Sequence, residues 1–252
     1  MNIFKNFISQ LTTYFKGFRN IRLTNIFNGW STLEIVWFVT ATLTMLFISA
    51  YTAQQQVVLT IVATVTGITT ILLIAKGKVL NFFFGLINNL TYAYVCYSQG
   101  IYGQFLLFLC FYFPMQFYGM HTWTKPQRTN ENNDIITRVL TGSQRLKLSV
   151  GIIVVATLYG LIILKGVFNQ QVGLFADSLT GVVAVVAIIL MVNAYIEQWV
   201  LWIIINSLST IIWLQQYLFG TGQGIAFLVM WLIYLCNAIY GYINWLKLKK
   251  DD

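Results

Sequence analysis

Apolar residues dominate eight stretches of the chain, near 33–51, 57–75, 79–98, 103–123, 147–165, 174–193, 198–218 and 224–246. Each is close to the ~20 residues an α-helix needs to cross a ~30 Å hydrocarbon layer. The pattern predicts an all-α polytopic membrane protein with eight transmembrane helices. Polar positions inside the stretches are not scattered. Trp199, Trp202, Asn206, Ser209, Trp213 and Gln216 recur at spacings of three and four, which puts all six on one helical face. Leu201, Ile203, Ile204, Ile205, Leu208 and Ile211 cover the other faces. An unpaired amide in hydrocarbon costs several kcal/mol, so the polar stripe is expected to turn inward. Two readings fit it. One is a site for a flat, uncharged or weakly charged polar ring. The other is tryptophan packing, with Asn206 tying helices together.

The pattern also repeats. Tyr112, Tyr118-Gly119, Trp123 and Lys125 recur as Tyr234, Tyr240-Gly241, Trp245 and Lys247, at a constant offset of 122. Val79-Leu80-Asn81 and Gly85 align with Val200-Leu201-Trp202 and Asn206 at an offset of 121, and upstream Thr66-Gly67 resembles Thr180-Gly181. The second to fourth stretches and the sixth to eighth therefore read as two three-helix copies. Three helices reverse direction, so an odd linker helix is needed for the copies to run parallel. This 3-1-3 plan, with an additional helix ahead of it, is one that small transporters use to bind substrate between halves. The alignment sets Asn81, Gly85, Asn88 and Tyr92 against Trp202, Asn206, Ser209 and Trp213. Two facing stripes would line one central cavity, to which Tyr112, Gln116, Tyr234 and Asn237 add rings and amides. Pro114 removes a backbone donor and crowds the carbonyl of Cys110, so a kink is expected there. Asp177 is the one acidic residue inside a spanning stretch, near its outer end. It reads either as a functional carboxylate or as a helix cap.

The expected layout is as follows. Residues 1–32 form an amphipathic cytoplasmic segment, with Phe4, Phe7, Ile8, Leu11, Phe15 and Phe18 on one face, lying on an anionic leaflet. Residues 33–56 hold the additional helix and its loop, and 57–123 the first repeat. A cytoplasmic loop and linker helix follow at 124–173, then the second repeat at 174–247 and a tail at 248–252. The 124–146 loop is too short for a core of its own and reads as a connector. No early apolar core with a small-residue cleavage site marks a signal peptide.

Composition agrees: 58% of residues are hydrophobic, 9% are charged and the mean hydropathy is +0.73, which excludes an ordinary soluble domain. The net charge of +8 would suggest nucleic acid in a soluble chain; here it reports topology, and no nucleic-acid partner is expected. With both termini in the cytoplasm, fourteen of the fifteen basic residues fall inside and only Lys165 falls outside. Cys96, Cys110 and Cys236 lack metal-ligand spacing and read as core filler. Glu34 and Glu197 sit at cytoplasmic helix ends and read as solvated. No nucleophile elbow, phosphate loop, metalloprotease motif or paired carboxylates appear, so no enzyme, metal or cofactor is expected.

The three-one-three plan, the Trp-x-x-Trp-x-x-x-Asn run at Trp199, Trp202 and Asn206, and the FYFPMQFYGMHTW run at 111–123 together resemble PnuC, a family of bacterial vitamin transporters chiefly for nicotinamide riboside. The resemblance covers roughly residues 33–247. It implies a multi-pass protein of the bacterial inner membrane, facilitated diffusion, a homotrimer, and trapping of the substrate by a cytoplasmic riboside kinase. A related vitamin such as thiamine, or a sugar, is the alternative cargo of the same plan. The residues suit the first substrate. A flat cationic ring favours the faces of Trp and Tyr, at about 0.5–2 kcal/mol per contact. Its carboxamide needs a donor and an acceptor together, which Asn or Gln supplies. The absence of a buried acid–base chain argues against proton coupling.

Overall fold

The computed structural model describes residues 27, 29–52, 57–98, 102–130, 134–166, 174–219 and 225–249. The expected amphipathic helix at the N-terminus lies outside the described residues. The chain clusters into two compact units, Met1–Ile136 with Ile243–Asp252, and Thr137–Tyr242.

Among the described residues the architecture is helical. We label the helices α1 (Thr32–Thr52), α2 (Val57–Ala75), α3 (Asn81–Ser98), α6 (Leu174–Val192), α7 (Glu197–Phe219) and α8 (Ile225–Lys247). Helix α4 is continuous but uneven: Tyr102–Leu107, a π-helical turn at Phe108–Tyr112, then Phe113–Trp123. Helix α5 is Gly142–Leu158 running into a second π-helical stretch, Tyr159–Lys165. Three helical runs among the described residues, Gly142–Ile163, Glu197–Phe219 and Phe227–Lys247, are long and apolar enough to cross a membrane.

Local chemistry explains the ends. Ser31 and Glu34 form a reciprocal capping box, with Ser31 N–H donating to Glu34 Oε2 at 2.7 Å and Glu34 N–H to Ser31 Oγ at 3.3 Å. Thr141 and Gln144 form another. It satisfies donors that a helix start leaves open and moves the beginning of α5 from the expected 147 back to Gly142. In α4 the wide turn directly precedes Pro114, whose ring would crowd the carbonyl four residues back. The disturbance expected from Pro114 is therefore taken up as a π turn, in which Phe113 N–H reaches the carbonyl of Phe108.

Two helix ends share one hydrogen-bond pattern. After α2, Gly77 takes a left-handed φ of 70°. Its N–H reaches Ile74 O and that of Lys78 reaches Leu73 O, each at 2.9 Å. After α6, Ala194 takes φ 61°, and N–H groups of Ala194 and Tyr195 reach Met191 O and Leu190 O, again at 2.9 Å. Glycine is the residue suited to that conformation; alanine pays about 1–2 kcal/mol for it. Gly77 and Ala194 are 117 positions apart, as are the ends of α2 and α6. The two turns alone set a local register of 117, four residues away from the 121 read from side chains. Asn81 then corresponds to Gln198 rather than Trp202, and Asn89 rather than Gly85 corresponds to Asn206.

The 124–146 loop is more than a connector. Ile135 N–H donates to Gly77 O at 2.9 Å, and Asp134 pairs with Lys78 at 2.6 Å. In the other unit, Arg138 N–H donates to Ala194 O at 2.8 Å and Ile196 N–H to Arg138 O at 2.9 Å. The Arg138 guanidinium lies 4.4 Å over the Tyr195 ring and donates to Asn193 O.

Charges expected at water-facing ends are instead paired and at least partly buried, Arg145 apart. Lys76, 8% exposed, holds Glu34 at 3.0 Å and Gly29 O at 3.1 Å, so α1 is pinned to the end of α2. Lys78 is equally buried. Glu197 accepts from Leu140 N–H at 3.0 Å and from Arg145 at 2.9 Å. Removing one partner of such a pair strands the other. Glu34→Gln is expected to destabilise the protein by about 1–3 kcal/mol, measured as a lowered Tm in detergent. An unchanged Tm would mean that the Lys76–Glu34 contact does not anchor α1.

Candidate functional site

The stripe on α7 begins where the Ala194 turn aims it. Trp199 is 3% exposed and lies edge-on against Gly241 of α8, where an added Cβ would stand 2.6 Å from two ring carbons. That close approach is why a glycine is needed at 241. One turn on, Trp202 is half-buried and packs on the cluster of Ile152, Val183 and Ile205. Trp231 of α8 packs on the same cluster and meets Tyr234 edge to face, with ring centroids 5.8 Å apart. Two carboxamides are buried in this unit, Asn206 at 4% exposure and Asn237 at 2%. Trp213 stacks on Phe227 at 4.3 Å and 18°, nearer the far end of the helix. The arrangement combines aromatic faces, amide donors and acceptors, and no formal charge.

Sequence reasoning missed two residues in this unit. Trp231 sits three residues before Tyr234 and six before Asn237 on α8. That helical spacing was a usable signal. Gln198 is fully buried, and both polar atoms of its amide lack a hydrogen-bond partner among the described residues. Only the 117 register, which matches it with Asn81, draws attention to it.

The other unit carries a second set on α3 and α4. Asn81, fully buried, donates to Lys78 O at 2.7 Å and so belongs to the turn. Asn88 donates to Ala63 O at 2.7 Å, binding α3 to α2, and its amide would lie 2.9 Å from a Cβ at Gly67. Its neighbour Asn89 is 5% exposed instead, and its Nδ2 has no partner among the described residues. Gln116, 5% exposed, lies over Gly85, where an added Cβ would stand 2.8 Å from its amide carbon. Gln116 Nε2 donates to Tyr112 O at 3.3 Å, and Oε1 lacks a partner. Tyr112 meets Phe108 edge to face at 4.9 Å. Tyr92, 43% exposed, packs on Phe108 at 4.6 Å. Asp177 lies in the first turn of α6, and its side chain is outside what is described. Of the cysteines read as core filler, only Cys96 is buried; Cys110 and Cys236 are exposed on their helices.

The fold and these residues define a class: an all-helical protein with apolar helices able to span a membrane and uncharged clusters of rings and carboxamides inside them. The family described as nicotinamide mononucleotide transporter matches residues 57–247, and the chain belongs to that family. It is 38% identical to the nicotinamide riboside transporter PnuC of Neisseria mucosa, over 89% of this chain and 85% of that protein. It is 34% identical to the PnuC of Haemophilus influenzae, over 88% of this chain and 93% of that protein. A crystal structure of the vitamin B3 transporter PnuC superposes with a TM-score of 0.70 at 33% identity, covering 89% of this chain and 94% of that one. Helix α1 lies ahead of the matched family segment.

Proposed function

We propose that this chain takes up nicotinamide riboside through the bacterial inner membrane by uniport, and that a cytoplasmic riboside kinase traps the product. The observation that carries this is the set of uncharged aromatic and amide side chains in one unit: Trp202 and Trp231 on a shared cluster, Tyr234 against Trp231, and Trp199, Asn206 and Asn237 buried on the same two helices. Ring faces attract a flat pyridinium, and carboxamides satisfy its amide and ribose hydroxyls. The printed names of the relatives agree with that chemistry. Asp177 is proposed as a further binding residue of this unit, and Asn81, Asn88, Tyr92, Tyr112 and Gln116 as the binding residues of the other, with Asn81 and Asn88 acting through the helix contacts they hold.

The same reading includes eight spanning helices in a 3-1-3 repeat, both termini and the 124–146 loop in the cytoplasm, and a homotrimer. The shared turn at Gly77 and Ala194 supports the repeat. The basic residues supply the orientation.

The paired state of several charges supports the uniport reading. Lys76, Lys78 and Glu197 are engaged with partners at helix ends. A carrier without a coupled ion only equilibrates its substrate, and accumulation requires phosphorylation inside. Labelled nicotinamide riboside in liposomes is therefore expected to equilibrate at the same rate with or without a proton or sodium gradient. Accumulation against its own gradient, driven by either ion, would overturn uniport. Uptake of thiamine or a sugar in its place would move the chain to another cargo of the same plan.

A further inference from the structure

The turn that leads into α7 is held in a conformation its sequence does not favour. Ala194 stands at φ 61°, the left-handed region that suits glycine, and is fully buried. Arg138 engages Asn193, Ala194, Tyr195 and Ile196, one after another. Its Nε donates to Asn193 O at 3.2 Å, and its Nη2 donates to the same oxygen. Its backbone N–H donates to Ala194 O at 2.8 Å, and its carbonyl accepts from Ile196 N–H at 2.9 Å. Its guanidinium covers the Tyr195 ring at 4.4 Å. The residues that follow anchor the first residue of α7 as well, through Leu140 N–H and Arg145 on Glu197. The counterpart turn at Gly77 has the residue type that the conformation favours, and there the loop supplies the Ile135 bond and the Asp134 ion pair. Strained backbone persists only where its surroundings hold it, and it gathers where function depends on the geometry.

We infer that Arg138 is a positioning residue for the proposed transport: it clasps the strained Ala194 turn and so sets the direction in which α7 presents Trp202 and Asn206. This rests on the binding role proposed above for those two residues. Asn193 to Ile196 join α6 to α7. Trp199 follows three residues after Ile196 and stands against Gly241 with no room for an added Cβ. Relaxation of φ at Ala194 redirects the start of α7, carries Trp199 off that glycine and turns the stripe behind it. The two backbone bonds at 138 can be made by any residue but proline. The paired donation to Asn193 O and the cover on Tyr195 belong to the guanidinium alone. Without them the left-handed turn competes with relaxed conformations, and affinity falls with the fraction of molecules that keep it. With glycine at 194 the turn needs no clasp.

The test compares the full-length wild type, Arg138→Met, Ala194→Gly and the double variant in detergent. Each is titrated calorimetrically with nicotinamide riboside and followed by amide hydrogen–deuterium exchange. Met keeps the apolar stem and both backbone bonds and removes the guanidinium. Arg138→Met is expected to weaken binding about tenfold, which is about 1.4 kcal/mol, and to speed exchange of the Ala194, Tyr195 and Ile196 amides. Ala194→Gly alone is expected to stay within about threefold of the wild type, because glycine adopts the left-handed turn at no steric cost. The double variant is expected to regain most of the affinity and of the protection. A purely structural Arg138 would lower Tm and leave the affinity of the folded fraction unchanged; that result overturns the inference, as does a loss of affinity that Ala194→Gly does not restore. If Arg138→Met does not fold, Arg138→Lys, which keeps the charge but donates from a single nitrogen, is expected to show a smaller loss restored by the same glycine. A wild type that does not bind the riboside overturns the transport reading. Exchange then still decides the clasp: faster exchange in Arg138→Met, reversed by Ala194→Gly, supports it, and unchanged exchange overturns it.

Discussion

Nicotinamide mononucleotide is expected to bind at least about a hundredfold more weakly than the riboside. The two ligands share ring and ribose, so the difference isolates the phosphate. That group adds about 1.5–2 negative charges at neutral pH. To be bound without loss it needs an unengaged Lys or Arg, or several N–H donors converging on it. The candidate residues are Trp, Tyr, Asn and Gln. Basic side chains at the helix ends already hold partners: Lys76 has Glu34, Lys78 has Asp134, Arg145 has Glu197 and Arg138 has the carbonyl of Asn193. Desolvating an unpaired anion costs several kcal/mol, and a hundredfold corresponds to only about 2.8 kcal/mol. Titration of both ligands into the same preparation measures the ratio. Mononucleotide affinity within tenfold of the riboside would show that a cation leaves its partner to receive the phosphate. The experiment also separates the two substrate names that the family and its relatives carry.

Trp202→Ala and Asn206→Ala are each expected to lower riboside affinity tenfold or more, because a stacking ring alone is worth about 1–3 kcal/mol in sites that bind bases. Their shared face suggests that both could be trimmed without structural effect. The packing corrects this for Trp202. It rests on Ile152, Val183 and Ile205, so its truncation also leaves a gap expected to cost about 2–3 kcal/mol of stability. The two effects separate by experiment. Thermal melting and size exclusion report the packing loss, and binding to the surviving folded fraction reports the site. Trp202→Phe retains a ring on the cluster and should recover most of the stability. Unchanged affinity in folded Trp202→Ala or Asn206→Ala removes that residue from the binding set.

Much of this molecule was legible from periodicity. The helices begin and end within a few residues of the apolar stretches, because burying a continuous backbone in an apolar layer leaves little choice but a helix. The α7 stripe was legible too, since Trp and Asn are rare enough to carry a signal at three- and four-residue spacing. Choices between neighbours were not legible. Asn88 and Asn89 are both polar and 100° apart on a helix. Only the position of the Ala63 carbonyl decides which is spent. The register of the turns differs from the one read from side chains for a related reason. Side-chain matches such as Gly85 with Asn206 slip easily by one helical turn, whereas the turns at Gly77 and Ala194 are fixed by backbone hydrogen bonds that leave no consensus in residue type. Salt bridges such as Lys76 with Glu34 join positions 42 apart and have no local signature.

The wide turn at Phe108–Tyr112 has a consequence for how this chain varies over evolutionary time. A π turn is an α turn with one residue inserted. It allows α4 to gain or lose a single position there while both ends keep their anchorage. In a uniform helix such an event would rotate one side by about 100° relative to the other, and the wide turn absorbs that rotation. The ring presented within the turn, such as Phe108 or Tyr112, can therefore be exchanged for its neighbour by one codon's insertion or deletion, while Gln116 beside Gly85 keeps its place. In a helix of uniform pitch the same change would displace Trp123 and the packing beyond it. The π turn thus makes Tyr112, one of the proposed binding residues, open to abrupt change.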